Sequence, residues 1–132
     1  MASKLITGFR LLFGLMLLAW VGMGLTGWQP PPVAPGAEAL RDALFDSGYI
    51  IPAVLIAYFL VGLCYLSGLY VALASVVLLP VSMNILMFHA FLNPNPRSLT
   101  IAVLLFVANL GMLWLHRGAF EELLKARPKQ AP

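Results

Sequence analysis

The chain has 132 residues, of which 61% are hydrophobic and only 10% are charged, and its formal net charge is +3. Soluble domains carry about 25% charged residues, so this composition excludes a soluble fold and predicts a membrane protein. The eight Lys and Arg residues lie mainly toward the two ends of the chain and form no basic helical stripe, which argues against a nucleic-acid partner. The single cysteine, Cys64, excludes an internal disulfide.

The first apolar stretch, at residues 5–28, is long enough for the ~20-residue crossing of a bilayer core. A secretory signal peptide is the competing interpretation, because Lys4 precedes the stretch and an Ala-x-Ala sequence follows at residues 37–39. The apolar region of a signal peptide is usually about 7–15 residues long. The greater length here favours a membrane-spanning helix.

The stretch from Gln29 to Pro35 contains four prolines and ends this first helix, because proline lacks the N–H that a helix needs. From Ala37 to Phe45, apolar and charged residues fall on different sides of a helix. This pattern predicts a short interfacial helix in the first outer loop.

Three further spans are predicted at residues 49–66, 69–92 and 99–115. Ser67-Gly68 connects the first two of these as a tight antiparallel hairpin, and Ser98 is a candidate N-cap for the last one. We therefore expect one all-α transmembrane domain, an integral membrane four-helix bundle, with a basic tail at residues 116–132.

The Lys and Arg residues beside the spans predict the orientation of the bundle. Arg41 and Arg97 lie on the side of the proline-rich loop. Six basic residues lie on the other side: Lys4, Arg10, Arg117, Lys125, Arg127 and Lys129. Because cytoplasmic loops are enriched in Lys and Arg, both termini are predicted to be cytoplasmic, with the basic tail meeting anionic lipid.

Polar side chains at membrane depth are costly and therefore mark candidate sites. The ionisable and amide candidates are Arg10, Asn84, His89 and Asn109, followed by the hydroxyls of Tyr58, Tyr65, Ser75 and Ser82. Arg10 has two interpretations, a side chain that reaches the headgroups or a partner for an anionic group. Asn84 and His89 could equally cap neighbouring helices. No Asp or Glu lies inside a span, which disfavours a pump or a cation-coupled carrier.

Cofactor sites find little support in the residue pattern. His89 and His116 lie toward opposite ends of their helices, so the ~30 Å bilayer core would separate them and they could not share a haem. Met83 and Met87 beside His89 form a weak set of soft-metal ligands. We predict no metal site.

Several short motifs in chain order carry a family resemblance. They are Arg10-Leu-Leu-Phe-Gly14 at the start of the first helix, Tyr49-Ile-Ile-Pro52 at the start of the second, Gly62 and Gly68, and the segment Pro80–Leu92. Together they resemble the DoxX and DoxX-like family of small four-helix membrane proteins, from Arg10 to about Arg117. Many members carry a glutamate midway along the second helix, where this chain has Tyr58.

The resemblance implies a link to quinone chemistry, because the family is named for a subunit of a thiosulfate–quinone oxidoreductase. We expect a non-catalytic accessory or structural subunit of a membrane complex in the bacterial inner membrane, with lipid and protein partners. Quinone is the one cofactor left open, in a small polar pocket for quinone or lipid lined by Arg10, Tyr58, Asn84 and His89. The alternatives are a quinone-site oxidoreductase subunit that acts itself, a small-molecule carrier, and a lipid-interacting structural protein.

Overall fold

The computed structural model describes residues 2–27 and 31–121. Within these residues there are five α-helices: α1 Ala2–Leu25, α2 Pro35–Asp46, α3 Ile50–Ser67, α4 Val71–Met87 and α5 Pro96–Leu115. A π-helical turn, Phe88–Leu92, continues α4, and a 3-10 turn, Arg117–Phe120, follows α5. The predicted all-α class is confirmed for the described residues, which contain no strand.

In the described part of the chain, four helical segments are long and apolar enough to cross a membrane: Ser3–Leu25, Ile50–Ser67, Val71–Leu92 and Pro96–Leu115. Their outward surfaces are apolar as well, since Leu12, Ile56 and Leu104 are 70%, 60% and 64% exposed. Isolated exposed apolar side chains are ordinary in soluble proteins, but whole helix faces of them are not. These are the features of a multi-pass membrane protein.

The long helices pack as successive antiparallel neighbours, α1 on α3, α3 on α4 and α4 on α5. The start of α1, the turn at Gly68 and the end of α5 therefore lie at one end of the bundle, called here the Gly68 end. The opposite end, called the Asn93 end, contains the π-helical turn and the start of α5. Helix α2 lies there, against the π-helical turn and α3.

Glycine allows the backbones of α1 and α3 to approach closely. A Cβ atom added to Gly14 would lie 3.0 Å from the carbonyl oxygen of Gly62 and 3.1 Å from the Cβ of Tyr65. A Cβ added to Gly62 would lie 2.9 Å from the Leu18 side chain. Small residues at a helix interface permit this kind of contact, which van der Waals packing stabilises.

Aromatic and branched side chains fill the core between the four long helices. The Phe13 and Tyr65 rings lie 5.2 Å apart, and the Trp20 and Tyr58 rings lie 5.8 Å apart, so both pairs connect α1 with α3. The aliphatic and thioether members of the buried cluster come from all four helices and include Leu17, Val61, Leu78, Leu105 and Met112.

The start of α5 differs from the prediction, which placed the N-cap at Ser98. Asn95 is the N-cap, and its Oδ1 accepts hydrogen bonds from the backbone N–H groups of Arg97 at 3.0 Å and Ser98 at 3.4 Å. Pro96 occupies the first helical turn, where a missing N–H costs nothing. The Ser98 prediction was therefore wrong, and the helix begins three residues before 99.

The other predicted segments have mixed outcomes. A helix in the first loop is confirmed at Pro35–Asp46, whereas its position on a membrane interface stays a prediction. The third span begins at Val71, because Gly68 and Tyr70 have positive φ angles of 80° and 55°. Most of the predicted basic tail, residues 122–132, lies outside the described residues, as does the end of the first predicted span at Trp28.

The glycine contact can be tested by adding side chains to α1. Gly14→Val would push against backbone and Cβ atoms of α3, and we expect it to lower the free energy of unfolding by about 1–3 kcal/mol, the range for overpacking. Gly22→Val is the matched control, since nothing lies within 4 Å of a Cβ at Gly22. Thermal unfolding in detergent measures both, and equal effects would contradict the close α1–α3 contact.

Candidate functional site

Four polar side chains from three helices meet in the interior of the bundle. They are Tyr65 of α3, Ser75 and Ser82 of α4, and Asn109 of α5, and each is 0% exposed. We call these four residues the polar cluster. An uncompensated polar group in such an apolar interior is costly, so their hydrogen bonds decide what the cluster can do.

Hydrogen bonds connect the polar cluster across all three helices. The Tyr65 hydroxyl lies 2.9 Å from Ser75 Oγ and 3.4 Å from Asn109 Oδ1. Asn109 Nδ2 donates to Ser82 Oγ over 3.2 Å. Asn109 therefore joins two branches, one toward Tyr65 and Ser75 and the other toward Ser82.

The local sequence of α4 explains how it supplies two members of the cluster. Ser75 and Ser82 are seven residues apart, which is about two helical turns and places both on one face. Each hydroxyl also donates to its own helix, Ser75 to the Val71 carbonyl at 2.8 Å and Ser82 to the Leu79 carbonyl at 3.0 Å. These local bonds hold the two serine side chains in place for α3 and α5.

The two branches of the cluster differ in their proton arrangement. In the Ser82 branch, the Asn109 amide and the Ser82 hydroxyl each donate in one direction. In the other branch, Tyr65 and Ser75 have one hydroxyl proton each. Those two protons serve three contacts: the Val71 carbonyl, Asn109 Oδ1 and the contact between the hydroxyls. This branch can therefore exchange hydrogen bonds by hydroxyl rotation alone.

The geometry favours helix packing as the role of the polar cluster. In the described part of the chain, every fully buried side-chain nitrogen or oxygen has a hydrogen-bond partner. A substrate could reach the cluster only by separating the helices, because none of the four side chains is exposed. The arrangement fixes α3, α4 and α5 against one another.

Arg10 and Tyr58, two of the predicted site residues, lie along the contact between α1 and α3. The Arg10 guanidinium covers Gly68 at the turn between α3 and α4, in the space that a side chain at Gly68 would occupy. Gly68 also has a φ of 80°, which favours glycine. Tyr58 is 5% exposed and its ring packs against Trp20.

Asn84 and His89, the other two, lie on α4 and in the π-helical turn. Asn84 is exposed, and its amide side chain has no hydrogen-bond partner within residues 2–27 and 31–121. His89 is half-buried, and its Nδ1 lies 3.3 Å from Asn93 Nδ2. Phe88 packs edge-on against its ring, with 5.2 Å between centroids.

The structure does not bring these four residues together. Arg10 contacts Gly68, and His89 follows about 20 residues later along α4, so the two lie at opposite ends of the bundle, about 30 Å apart at 1.5 Å per residue. Their individual roles stay predictions. The residues that do converge are Asn109 and three of the hydroxyls named with it. The one sequence signal that could have indicated this is the seven-residue spacing of Ser75 and Ser82, which places both on one face of a helix.

Comparisons with known proteins found no relative for this chain. No protein-family model matches it, and no curated protein or solved structure matches it either. The family resemblance of its motifs therefore remains an inference from sequence.

Two asparagines offer a matched test of the polar cluster. Asn109→Ala removes the partner of Tyr65 and Ser82, and we expect it to lower the free energy of unfolding by about 1–3 kcal/mol, the cost of unsatisfied buried groups. Asn84→Ala makes the same chemical change at an exposed position, where about 0.5 kcal/mol or less is expected. Thermal unfolding in detergent compares them, and equal losses would refute the structural role of the cluster.

Proposed function

We propose that this protein is a four-span integral membrane protein that acts as an accessory or structural subunit of a bacterial membrane complex. The observation that carries this proposal is the exposed amide of Asn84. The proposal assigns the function to contacts with partner subunits instead of a reaction inside the chain.

Asn84 lies on an otherwise apolar outward face of α4. Leu73, Val77, Pro80 and Met87 share this face at alternating spacings of four and three residues, and all four are exposed. Asn84 is about 12 Å from the end of the Val71–Leu92 segment at 1.5 Å per residue. In a bilayer, its amide would face hydrocarbon, where an unpaired polar group costs several kcal/mol. A partner helix with a hydrogen-bonding side chain would remove that cost.

The interior of the bundle supports the same role. The buried polar side chains of the polar cluster bond one another and the backbone, so their hydrogen-bonding capacity serves packing. Within the described residues, the amide of Asn84 on the outward face of α4 lacks a hydrogen-bond partner. A subunit that contributes contacts fits this distribution better than a self-contained catalytic centre.

The finer part of the proposal is a redox complex linked to quinone, in the manner of the DoxX-like proteins. It rests on the motif Arg10-Leu-Leu-Phe-Gly14 and on the segment Pro80–Leu92. Tyr58 replaces the glutamate that many of those proteins carry, which fits a subunit that has lost chemistry of its own. A quinone site within this chain alone would need Arg10, Tyr58 and His89 to converge, and their positions along the bundle disfavour it.

We further propose that both termini face the cytoplasm and that the protein resides in the bacterial inner membrane. Lys4, Arg10 and Arg117 lie at the Gly68 end, and Arg41 and Arg97 lie at the Asn93 end. Lys125, Arg127 and Lys129 follow Arg117 in the sequence. The excess of basic residues at the Gly68 end supports a cytoplasmic location for that end.

Co-purification tests the accessory role. Tagged protein extracted from its source membrane in mild detergent should retain another membrane subunit in constant ratio. Asn84→Leu should lower the retained amount about fivefold or more, which corresponds to the ~1 kcal/mol of an interhelical hydrogen bond. Asn84→Gln, which keeps the amide, and Leu104→Ala, a change on the exposed face of α5, should retain the subunit.

Two results would count against this proposal. If the wild-type protein purifies alone even after cross-linking in the membrane, the accessory role fails. If Asn84→Leu retains the subunit as well as wild type does, the α4 face is not the contact. Quinone reduction by the isolated complex tests the proposed quinone link separately. A stable complex that does not reduce quinone would contradict that link and leave the accessory role intact.

Cysteine labelling tests the orientation. In a Cys64→Ala background, Ser3→Cys places a thiol at the start of α1, Ala119→Cys one just after α5 and Ala39→Cys one on α2, all at exposed positions. A membrane-impermeant maleimide should label Cys at position 39 in intact spheroplasts and the other two only after permeabilisation. The reverse pattern would place the termini outside.

A further inference from the structure

Asn93, which is 6% exposed, connects the first loop with the π-helical turn at the Asn93 end. Its Oδ1 accepts the backbone N–H of Ala34, the residue before α2, over 3.0 Å. Its Nδ2 lies 3.3 Å from Nδ1 of His89. Its own backbone N–H donates to the Phe88 carbonyl over 3.0 Å and so closes the π-helical turn. The side chain of Asn93 thus links the first loop to a histidine.

These contacts fix the direction of each hydrogen bond. A backbone N–H can only donate, so the oxygen of the Asn93 amide must face Ala34. The NH2 group then faces His89, and Nδ1 of His89 must accept. An imidazole accepts at Nδ1 only when its proton is on Nε2, so the observed geometry requires neutral His89.

Protonation of His89 conflicts with this arrangement. The imidazolium has N–H groups on both ring nitrogens, and Nδ1–H would then point at the NH2 group of Asn93. A half-turn of the Asn93 amide would offer its oxygen to His89, but it would place the NH2 group against the N–H of Ala34. Neither orientation of one amide satisfies both neighbours once His89 carries a proton.

We propose that protonation of His89 releases Ala34 and the start of α2 from the bundle, so that the first loop is docked when His89 is neutral and released in acid. The Asn93–Ala34 bond holds the residue just before α2, and the Ala37 N–H donates to the Ala34 carbonyl at 2.8 Å. Beyond Ala37, which is 0% exposed, most of α2 is exposed or half-buried. Few other contacts oppose the release.

The charged groups on the elements that pack against the π-helical turn do not take part in this coupling, so His89 is the group whose protonation matters. Helices α2 and α5 supply them: Glu38, Arg41, Asp42, Asp46 and Arg97. Arg41 pairs with Asp42 at 2.8 Å. The other three are exposed, and within the described residues none of the five hydrogen-bonds to His89. Helix α4 carries no titratable group between Val71 and Met87.

Hydrogen exchange of the full-length protein tests the proposal. In phosphatidylcholine nanodiscs, both faces of the protein meet buffer, so the result does not depend on orientation or on a partner subunit. We compare amide protection of residues 34–46 at about pH 7.5 and about pH 5.5, the range in which imidazole changes charge, after correction for intrinsic exchange rates. Wild type should lose protection about tenfold in acid, while α5 stays unchanged.

Two variants distinguish this mechanism from a general acid effect. His89→Gln cannot gain a proton and keeps an amide oxygen to accept from Asn93, so protection of residues 34–46 should be the same at both pH values. Asn93→Asp has two accepting oxygens, one for Ala34 and one for protonated His89. The same two oxygens also accept from the Nδ1–H tautomer of neutral His89, so its protection should not fall in acid as that of wild type does.

The proposal is overturned if wild-type protection is the same at both pH values, or if His89→Gln loses protection in acid as wild type does. Asn93→Asp also overturns it if the folded variant responds with the wild-type sign. A single monodisperse peak in size exclusion establishes folding, and should Asn93→Asp fail this check, the comparison of wild type with His89→Gln decides alone.

Discussion

The hydrogen bonds of the polar cluster determine how α3, α4 and α5 sit against one another. Apolar residues are spread almost evenly around both α3 and α4, so burial of hydrophobic surface does little to select which face turns inward. Asn109 must face Tyr65 and Ser82 together. A slip of α5 by one turn, about 5.4 Å, would break both contacts and leave buried polar groups unpaired. A few directional bonds thus set the register of a largely non-directional core.

Helix α1 is held against α3 by close van der Waals packing instead of by the hydrogen bonds of the polar cluster. Gly14 and Gly62 bring its backbone against α3, and the ring pairs with Tyr58 and Tyr65 fill the space on either side. Tyr65 takes part in both systems, since its ring packs on Phe13 and its hydroxyl belongs to the polar cluster. The close contact of α1 therefore steadies the residue on which one branch of the hydrogen bonds depends.

The apolar composition and the helix-breaking residues were enough to predict four long helices, because proline, glycine and polar turns separate them. The N-cap of α5 was misplaced because Asn95 and Ser98 are both good caps, and Pro96 decides between them by fitting only the first turn. The site was harder to predict. Its residues could be named individually, but apart from the Ser75–Ser82 spacing on α4 the strongly apolar helices have no sequence pattern that indicates which faces meet, so the convergence on Asn109 was not predicted.

Three asparagines at different positions have three different structural roles. Asn109 holds helices together, Asn93 ties the first loop to the π-helical turn, and Asn84 has its side chain directed outward. The Asn84 carbonyl accepts the N–H of Phe88, the residue at which the π-helical turn begins. On the proposals above, a loop movement triggered at His89 would act on the same stretch of helix that presents Asn84 to a partner.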